Sequence, residues 1–143
     1  MNIFLTGGTG FIGSNILNNI NIKQHNFLCL KREGSVPRIK LKKEPDWVIA
    51  NRKGFTNLYK DIELFIHCAA YGVHPQKSNW VDSIQYNVFE SMKLLSAAAD
   101  HGVKNFILFG SILESNQFDN IEPKNIDMLS YITSKKAFLQ IFA

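Results

Sequence analysis

Short apolar segments recur along the chain and are separated by longer stretches of mixed polarity. Each apolar segment lacks polar alternation and is bounded by polar residues, glycine or proline. Segments of this length and composition are typical of strands that are buried on both faces of a sheet. The pattern therefore predicts five buried strands, at residues 2–6, 26–31, 46–50, 63–68 and 104–109.

The stretches between these strands carry helical periodicity. Ile12, Ile16 and Ile20 recur every four residues and mark one face of a helix. A second apolar face extends from about residue 80 to residue 101, and Gly102 is placed to end it. A weak helical pattern covers 54–61, and a last helix begins at about residues 127–130. Strands that alternate with helices predict a parallel sheet covered on both faces, a doubly wound, Rossmann-like α/β domain.

Composition and length agree with one globular domain. The chain has 143 residues, of which 45% are hydrophobic and 20% charged. These values are typical of a soluble protein, and no apolar run is long enough to cross a membrane. No signal peptide is visible. Cys29 and Cys68 lie inside apolar runs and indicate buried, reduced thiols, so we expect a cytoplasmic location and no membrane partner.

The net charge of +4 raises the question of nucleic acid binding. The basic residues concentrate between Lys31 and Lys43, with few aromatic residues among them. This stretch is therefore interpreted as a solvated loop or as a site for a cofactor phosphate rather than for nucleic acid. His25, His74 and His101 have no partners at the spacing of metal ligands. The sequence predicts no metal site and no nucleic acid partner.

Glycines at positions 7, 10 and 13, with an additional Gly8, follow the first strand and open the first helix. A tight turn out of a strand needs a positive φ, which glycine adopts at low cost. Backbone N–H groups approach a phosphate closely only where a Cβ is missing, and the positive end of the helix dipole points at the anion. In this context the spacing predicts a binding loop for a dinucleotide pyrophosphate.

The loop also resembles the fingerprint of extended short-chain dehydrogenases/reductases, the NAD(P)-dependent nucleotide-sugar epimerase/dehydratase family. Further matching segments lie in the family's order along nearly the whole chain. They are Thr6-Gly-Gly-Thr-Gly-Phe-Ile-Gly13, His67-Cys-Ala-Ala70, Tyr86-Asn-Val88, Gly102-Val-Lys-Asn-Phe-Ile107, Ser111, and the pair Tyr131 and Lys135. The resemblance implies hydride transfer between a nicotinamide dinucleotide and a nucleotide sugar.

The resemblance also implies a catalytic set of Ser111, Tyr131 and Lys135. Tyr131 and Lys135 are four residues apart, so on a helix both project from one face. An ammonium beside a tyrosine favours the phenolate, which brings a poor proton shuttle toward its working range. In the family the tyrosine exchanges a proton with the substrate, the lysine also holds the cofactor ribose, and Ser111 would hydrogen-bond the substrate.

The residue after the second strand bears on the choice of dinucleotide. NAD-preferring relatives carry an acidic residue there, which accepts hydrogen bonds from the adenosine ribose. Here Lys31 and Arg32 occupy the position, and Ser35 and Arg38 would add contacts if the loop folds back. Basic side chains attract a 2′-phosphate, so NADP is predicted, with NAD as the alternative.

Together these arguments assign the cofactor to a set of residues from five parts of the chain. Asn87 also has a structural interpretation, as a brace for the helix that carries the site. The predicted cofactor contacts are Gly7, Thr9, Gly10, Phe11, Ile12, Gly13, Lys31, Arg32, Ala69, Ala70, Asn87 and Lys135.

Two departures from the family pattern limit the prediction of activity. The sequence ends eight residues after Lys135, so residues 1–143 are expected to be a dinucleotide-binding domain without the substrate-binding portion. After Ser111 the family has tyrosine and glycine, where this chain has Ser115 and Asn116. The chain is therefore interpreted as the cofactor-binding half of an epimerase, dehydratase or 4-keto reductase. The alternatives are a non-catalytic dinucleotide-binding or redox-sensing module, and an inactive truncated fragment.

The predicted helices also bear on assembly. The last helix ends in Phe138, Leu139, Ile141 and Phe142, which present apolar area. The resemblance implies a dimer surface formed by the helices near 80–101 and 130–143, so a homo-oligomer is expected.

Overall fold

The computed structural model describes residues 1–20, 24–50, 58–74, 78–114 and 126–142. Within them, five parallel strands form one sheet in the order β3-β2-β1-β4-β5. The order reverses beside β1, which in doubly wound sheets is the place where ligands bind. The predicted doubly wound, Rossmann-like fold is confirmed. The strands are β1 (Asn2–Thr6), β2 (Asn26–Lys31), β3 (Asp46–Ile49), β4 (Leu64–His67) and β5 (Asn105–Leu108).

In the described part of the chain, helices follow β1, β4 and β5, as the periodicity predicted, and no helix separates β2 from β3. The first is α1, at Phe11–Asn19. The predicted helix at 80–101 is composed of α2 (Trp80–Ile84), a π-helical segment (Gln85–Glu90) and α3 (Ser91–Asp100). A short 3₁₀ turn at Ile112–Glu114 precedes α4, at Ile126–Phe142. The weak helical pattern at 54–61 lies mostly outside the described residues, and residues 58–61 form a turn.

The chain divides into two compact units. The first contains residues 1–69 and 96–109 and holds the sheet with α1. The second contains residues 70–95 and 110–143 and holds α2, the π-helical segment and α4. The glycine loop and the basic residues after β2 belong to the first unit. Ser111, Tyr131 and Lys135 belong to the second.

The sheet of the first unit is buried on both faces. On one face, Ile3, Leu5 and Ile66 pack with Leu17 of α1 and with two residues of β2, Phe27 and Cys29. On the other face, the rings of Phe4, Tyr59 and Phe65 contact one another. Adjacent residues of a strand point to opposite faces, so apolar side chains at consecutive positions of β1 serve both layers. This explains why the strands read as continuous apolar runs.

Two ionisable side chains lie in these layers. Tyr59 is 1% exposed, and burial raises its pKa to about 12. Its hydroxyl has no hydrogen-bond partner among the residues the structure describes. Cys29 is fully buried, and burial, with the nearby Asp46 carboxylate, raises the pKa of its thiol far above the ordinary value. Both groups are therefore neutral components of the core.

The helix that began at Trp80 ends at a glycine, as the sequence predicted. Gly102 adopts a φ of 91°. Its N–H donates to the carbonyl of Ala99, and the N–H of Val103 donates to the carbonyl of Ala98. This pair of bonds is a Schellman motif, which satisfies carbonyls that the last helical turn leaves without partners.

Candidate functional site

The glycine loop joins β1 to α1 through a tight turn. Gly7 has a φ of 75°, in the left-handed region, and its carbonyl accepts the N–H of Gly10 at 2.9 Å. Helix α1 follows at Phe11, and the hydroxyl of the buried Ser14 donates back to the Gly8 carbonyl at 3.0 Å. The loop is thus fixed by its own backbone and by the first turns of the helix.

The three glycines of the motif differ in what surrounds them. A Cβ on Gly7 would lie 2.6 Å from the Ala69 nitrogen, and a Cβ on Gly13 would lie 2.7 Å from the Gly8 Cα. Packing therefore excludes a side chain at both positions. A Cβ on Gly10 would meet only the Gly7 carbonyl oxygen, at 3.2 Å, and Gly10 has an ordinary negative φ. Packing within the protein therefore restricts Gly10 less than it restricts Gly7 and Gly13. The close approach of a pyrophosphate would instead explain why position 10 is glycine.

The N-terminus of α1 also suits an anion. Gly10 caps the helix without a side-chain hydrogen bond, and no acidic residue lies in the first turn. The N–H groups of a first helical turn point along the axis and carry partial positive charge. With the glycine positions, this arrangement fits a dinucleotide pyrophosphate. The predicted contacts Thr9, Phe11 and Ile12 all lie here, and Phe11 and Ile12 are exposed.

Two of the predicted basic residues lie at the end of β2. Lys31 is its last residue, and Arg32 follows on the surface. The Lys31 ammonium lies over the indole ring of Trp47, 5.0 Å from the ring centroid. The chain after Arg32 does fold back: the N–H of Arg38 donates to the Thr9 carbonyl at 3.0 Å. Basic residues therefore lie on segments that border the glycine loop.

The end of β4 contacts the glycine loop from the other side. His67 is buried, and its Nδ1 is 2.7 Å from the Thr6 hydroxyl. The N–H of Cys68 donates to the Thr6 carbonyl. The backbone of Ala69 lies against Gly7, while Ala70 is exposed. The structure thus brings Ala69 to the predicted cofactor loop, and the contact it makes there is with the protein backbone.

Asn87, in the π-helical segment, makes several buried hydrogen bonds. Its side-chain oxygen accepts the N–H of Tyr71 at 2.7 Å, and its Nδ2 donates to the Tyr71 carbonyl at 3.0 Å. The same Nδ2 donates to the Ser134 hydroxyl at 2.9 Å, and Ser134 donates to the Tyr131 carbonyl. Asn87 thus connects the backbone of Tyr71 to α4, which is the structural role of a brace. Its predicted cofactor contact stays a prediction.

Tyr131 and Lys135 lie one turn apart in α4 and are both buried. The Lys135 ammonium lies 4.9 Å from the centroid of the Phe138 ring, a cation–π contact one turn further along. Ser111 is half-buried, and its hydroxyl accepts the N–H of Leu113 at the start of the 3₁₀ turn. That turn packs against α4. The three predicted catalytic residues are thus carried by two adjoining elements of the second unit.

A cluster of serines precedes Tyr131. The Ser130 hydroxyl lies 2.6 Å from that of Ser78 and 3.2 Å from that of the buried Ser83. A Cβ on Gly72, whose φ is 80°, would lie 3.0 Å from the Ser78 hydroxyl oxygen. Sequence reasoning missed this cluster, because isolated serines form no recognisable pattern.

Two further predictions concern metals and membranes. Among the residues that the structure describes, no three His, Cys, Asp or Glu side chains are grouped so that they could hold a metal ion. None of the helices in this part of the chain has the length and hydropathy that a membrane crossing requires. Ser115 and Asn116, the departures from the family pattern, lie outside the described residues.

The order and direction of the strands define a Rossmann-like, doubly wound α/β class of protein. The sequence matches the NAD dependent epimerase/dehydratase family over residues 3–141. The chain therefore belongs to that family. A search of curated protein sequences finds no match.

Solved structures agree with the fold. UDP-glucose-4-epimerase from Stenotrophomonas maltophila, solved with NAD and formylated UDP-arabinopyranose, superposes with a TM-score of 0.77 at 22% identity, covering 99% of this chain and 47% of that one. WbmG from Bordetella bronchiseptica, in complex with NAD and UDP, gives 0.68 at 23%, covering 97% and 49%. The NDP-hexosamine 5,6-dehydratase TunA gives 0.77 at 19%, covering 98% and 48%. The chain spans about half of the length of these relatives.

Proposed function

We propose that the glycine loop and the basic residues after β2 bind NADP(H) in preference to NAD(H). The observation that carries this proposal is the contrast among the glycines: a Cβ on Gly7 or Gly13 would clash with several backbone atoms, whereas a Cβ on Gly10 would meet one described atom, the Gly7 carbonyl oxygen, at 3.2 Å. Lys31 ends the second strand and Arg32 follows it, at a position where a carboxylate would repel a 2′-phosphate. Arg38 is supplied by the segment that returns to Thr9.

We further propose that Ser111, Tyr131 and Lys135 serve a hydride-transfer reaction on a nucleotide sugar. The bound nicotinamide would accept or return the hydride. Tyr131 would exchange a proton with the substrate oxygen, and Lys135, buried one turn away, would support the phenolate and hold the ribose. Ser111 would hydrogen-bond the same oxygen. The substrate class is supported by the family and by relatives solved with UDP or a UDP-sugar.

Epimerisation, dehydration and 4-keto reduction all begin or end with this hydride step. Among them we favour 4-keto reduction, because Glu114 alone does not supply the acid pair that a dehydratase usually carries near Ser111. A second candidate is a module that binds the dinucleotide without catalysis.

The first experiment measures binding. NADP and NAD are titrated by calorimetry into the wild type, Gly10→Ala and Gly102→Ala. Gly102 has a φ of 91°, and no described atom lies within 4 Å of a built Cβ. It precedes the amino end of β5, whereas the glycine loop follows the carboxyl end of β1, so alanine there strains the backbone away from the proposed site. We expect Gly10→Ala to weaken both dinucleotides at least tenfold and Gly102→Ala to leave them unchanged. Tighter binding of NAD by the wild type would refute the NADP preference.

The second experiment separates enzyme from binding module. Oxidation of NADPH is followed in the presence of a 4-keto sugar nucleotide, with Tyr131→Phe as the matched variant, since it removes only the hydroxyl. Turnover that Tyr131→Phe abolishes while cofactor affinity persists supports the enzyme. Cofactor binding without turnover in the wild type supports the binding module.

We also propose a homo-oligomer formed by the second unit. Trp80, Val81 and Phe89 are exposed near the start of the helix, and Leu129 and Ile141 are exposed on α4. Exposed apolar groups of this kind mark association surfaces. Analytical ultracentrifugation tests it: Val81→Glu should shift the species toward monomer, whereas Val36→Glu, an equally exposed change in the first unit, should not. A wild type that is monomeric at high concentration would end the proposal.

A cytoplasmic location is part of the proposal. It is supported by the two cysteines, both described, which form no disulfide.

A further inference from the structure

Trp47 lies between the glycine loop and Lys31, the last residue of β2. A Cβ built on Gly8 would lie 3.3 Å from two atoms of the indole ring, Cη2 and Cζ3. The Lys31 ammonium lies over the same ring, 5.0 Å from its centroid. One side chain thus contacts the loop proposed to hold the pyrophosphate and the cation proposed to hold the 2′-phosphate.

The register of the sheet produces this arrangement. Cys29 of β2 pairs with Trp47 of β3, and Lys31 pairs with Ile49. Alternate residues of a strand share a face, so Lys31 lies on the same face as Cys29, which is the face that α1 covers. Trp47 is therefore the diagonal neighbour of Lys31 across two strands.

The ring is held from a second side. The Trp47 Nε1–H donates to a carboxylate oxygen of Glu44 at 2.6 Å, which fixes the orientation of the indole plane. Glu44 belongs to the segment that returns to the glycine loop through the N–H of Arg38 and the Thr9 carbonyl. The plane on which the ammonium rests is thus set by the same segment that carries the other basic residues.

We infer that Trp47 is a positioning residue for Lys31 and contributes to the choice of NADP over NAD. A cation–π contact restrains the ammonium while leaving its N–H donors available for phosphate oxygens. A lysine side chain has several freely rotating bonds, so restraint lowers the entropy lost on binding. The inference rests on the proposed binding of NADP, and it assigns Trp47 a role that acts only through Lys31.

The test compares two ligands that differ by one phosphate. Affinities of 2′,5′-ADP and 5′-AMP, and of NADP and NAD, are measured by calorimetry for the wild type, Trp47→Leu, Trp47→Phe and Lys31→Ala. We expect Trp47→Leu to weaken the 2′-phosphorylated ligands about two- to fivefold relative to their partners. Trp47→Phe retains an aromatic face and should restore part of the difference. Trp80→Phe, in the other unit, is the control and should change nothing.

A double mutant shows whether the effect passes through the lysine. In a Lys31→Ala background, Trp47→Leu should leave the ratio of affinities unchanged, because the cation that Trp47 positions is gone. An equal loss for both ligands of a pair would assign Trp47 a purely structural role and overturn the inference. An unchanged ratio in Trp47→Leu itself would do the same.

The wild-type measurements separate this inference from the proposed function. If the wild type binds neither dinucleotide, the proposed function fails and the inference fails with it. If the wild type binds NAD as tightly as NADP, dinucleotide binding stands, but the role assigned to Trp47 is overturned. Circular dichroism at the assay temperature verifies that each variant is folded.

Discussion

The hydroxyl of Thr6 and the Nδ1 of His67 lie 2.7 Å apart in the buried interior, at the carboxyl ends of β1 and β4. Thr6 directly precedes Gly7, and His67 directly precedes Cys68. The backbone passes close to Gly7 at this point, because a Cβ on Gly7 would meet the backbone of Cys68 and Ala69. The hydrogen bond therefore joins the two strands at the point where the sheet order reverses. The pair thus links the residue before the glycine loop to the end of β4.

Thr6→Val is expected to destabilise the protein by about 1–3 kcal/mol, because it keeps the shape of the side chain and leaves a buried imidazole nitrogen without this partner. Urea unfolding of Thr6→Val, His67→Leu and the double mutant gives the coupling energy. Thr9→Val, at a half-buried position of the glycine loop whose described bond uses the backbone carbonyl, should cost little. Additive losses in the double mutant would show that the pair is not coupled.

Removal of the Tyr59 hydroxyl should stabilise the protein at high pH. The pKa of Tyr59 is about 12 in the folded protein and near 10 when unfolded. The neutral form is favoured by folding, so the stability is fully present below pH 10 and declines as the pH rises toward 12. The loss approaches about 3 kcal/mol at about 1.4 kcal/mol per pH unit.

Unfolding of the wild type and Tyr59→Phe is therefore compared between pH 8 and pH 11.5. The variant should show the shallower decline, and at pH 8 it should be at least as stable, since it loses no described hydrogen bond. If the free energies of unfolding of the two proteins changed with pH in parallel, the raised pKa of Tyr59 would be contradicted. Tyr86→Phe, at an exposed tyrosine, is the matched control.

Asn87→Ala should destabilise the protein by about 2–4 kcal/mol. The substitution removes bonds to the N–H and carbonyl of Tyr71 and to the Ser134 hydroxyl, and it leaves buried polar groups without those partners. Thermal unfolding is the measurement. Asn19→Ala, which removes one exposed bond to the Asn15 carbonyl, should cost below about 0.5 kcal/mol. Equal effects of the two changes would refute the role of Asn87 as a brace.

The Cys29 thiol should be unreactive in the folded protein. It is fully buried, and both burial and the Asp46 carboxylate disfavour the thiolate that attacks thiol reagents. In a Cys68→Ser variant, modification of Cys29 should proceed at the rate of unfolding and accelerate in urea. Rapid labelling without denaturant would show that the core around β2 opens locally.

The parallel sheet could be anticipated from the sequence because each strand is a short apolar run and helical patterns lie between several of the strands. The predicted strand bounds differ from the observed ones by at most one residue at either end. The π-helical turn at Gln85–Glu90 could not be anticipated, since its winding adds residues per turn without any change in composition.

Parts of the candidate site were equally visible in advance. Gly7, Gly10 and Gly13 could be identified because a tight turn beside a helix N-terminus demands glycine at fixed spacing. Trp47 could not be identified, because its contact with Lys31, 16 residues earlier, depends on the pairing of β2 with β3, which no local pattern encodes. The hydrogen-bond partners of Asn87 could not be identified either, because they are also distant in sequence.

The segment between β2 and β3 is attached to the body of the first unit at more than one point. Besides the bond from Arg38 to Thr9, the Asn18 side chain donates to the Lys40 carbonyl and accepts the N–H of Lys42. If residues 32–45 were replaced by the corresponding loop of a relative, the residue at position 18 would therefore have to be changed with them. We therefore expect insertions to be accommodated near Gly34, where no described atom lies within 4 Å of a built Cβ, and to be destabilising from residue 38 onward, where the segment is hydrogen-bonded to Thr9 and Asn18.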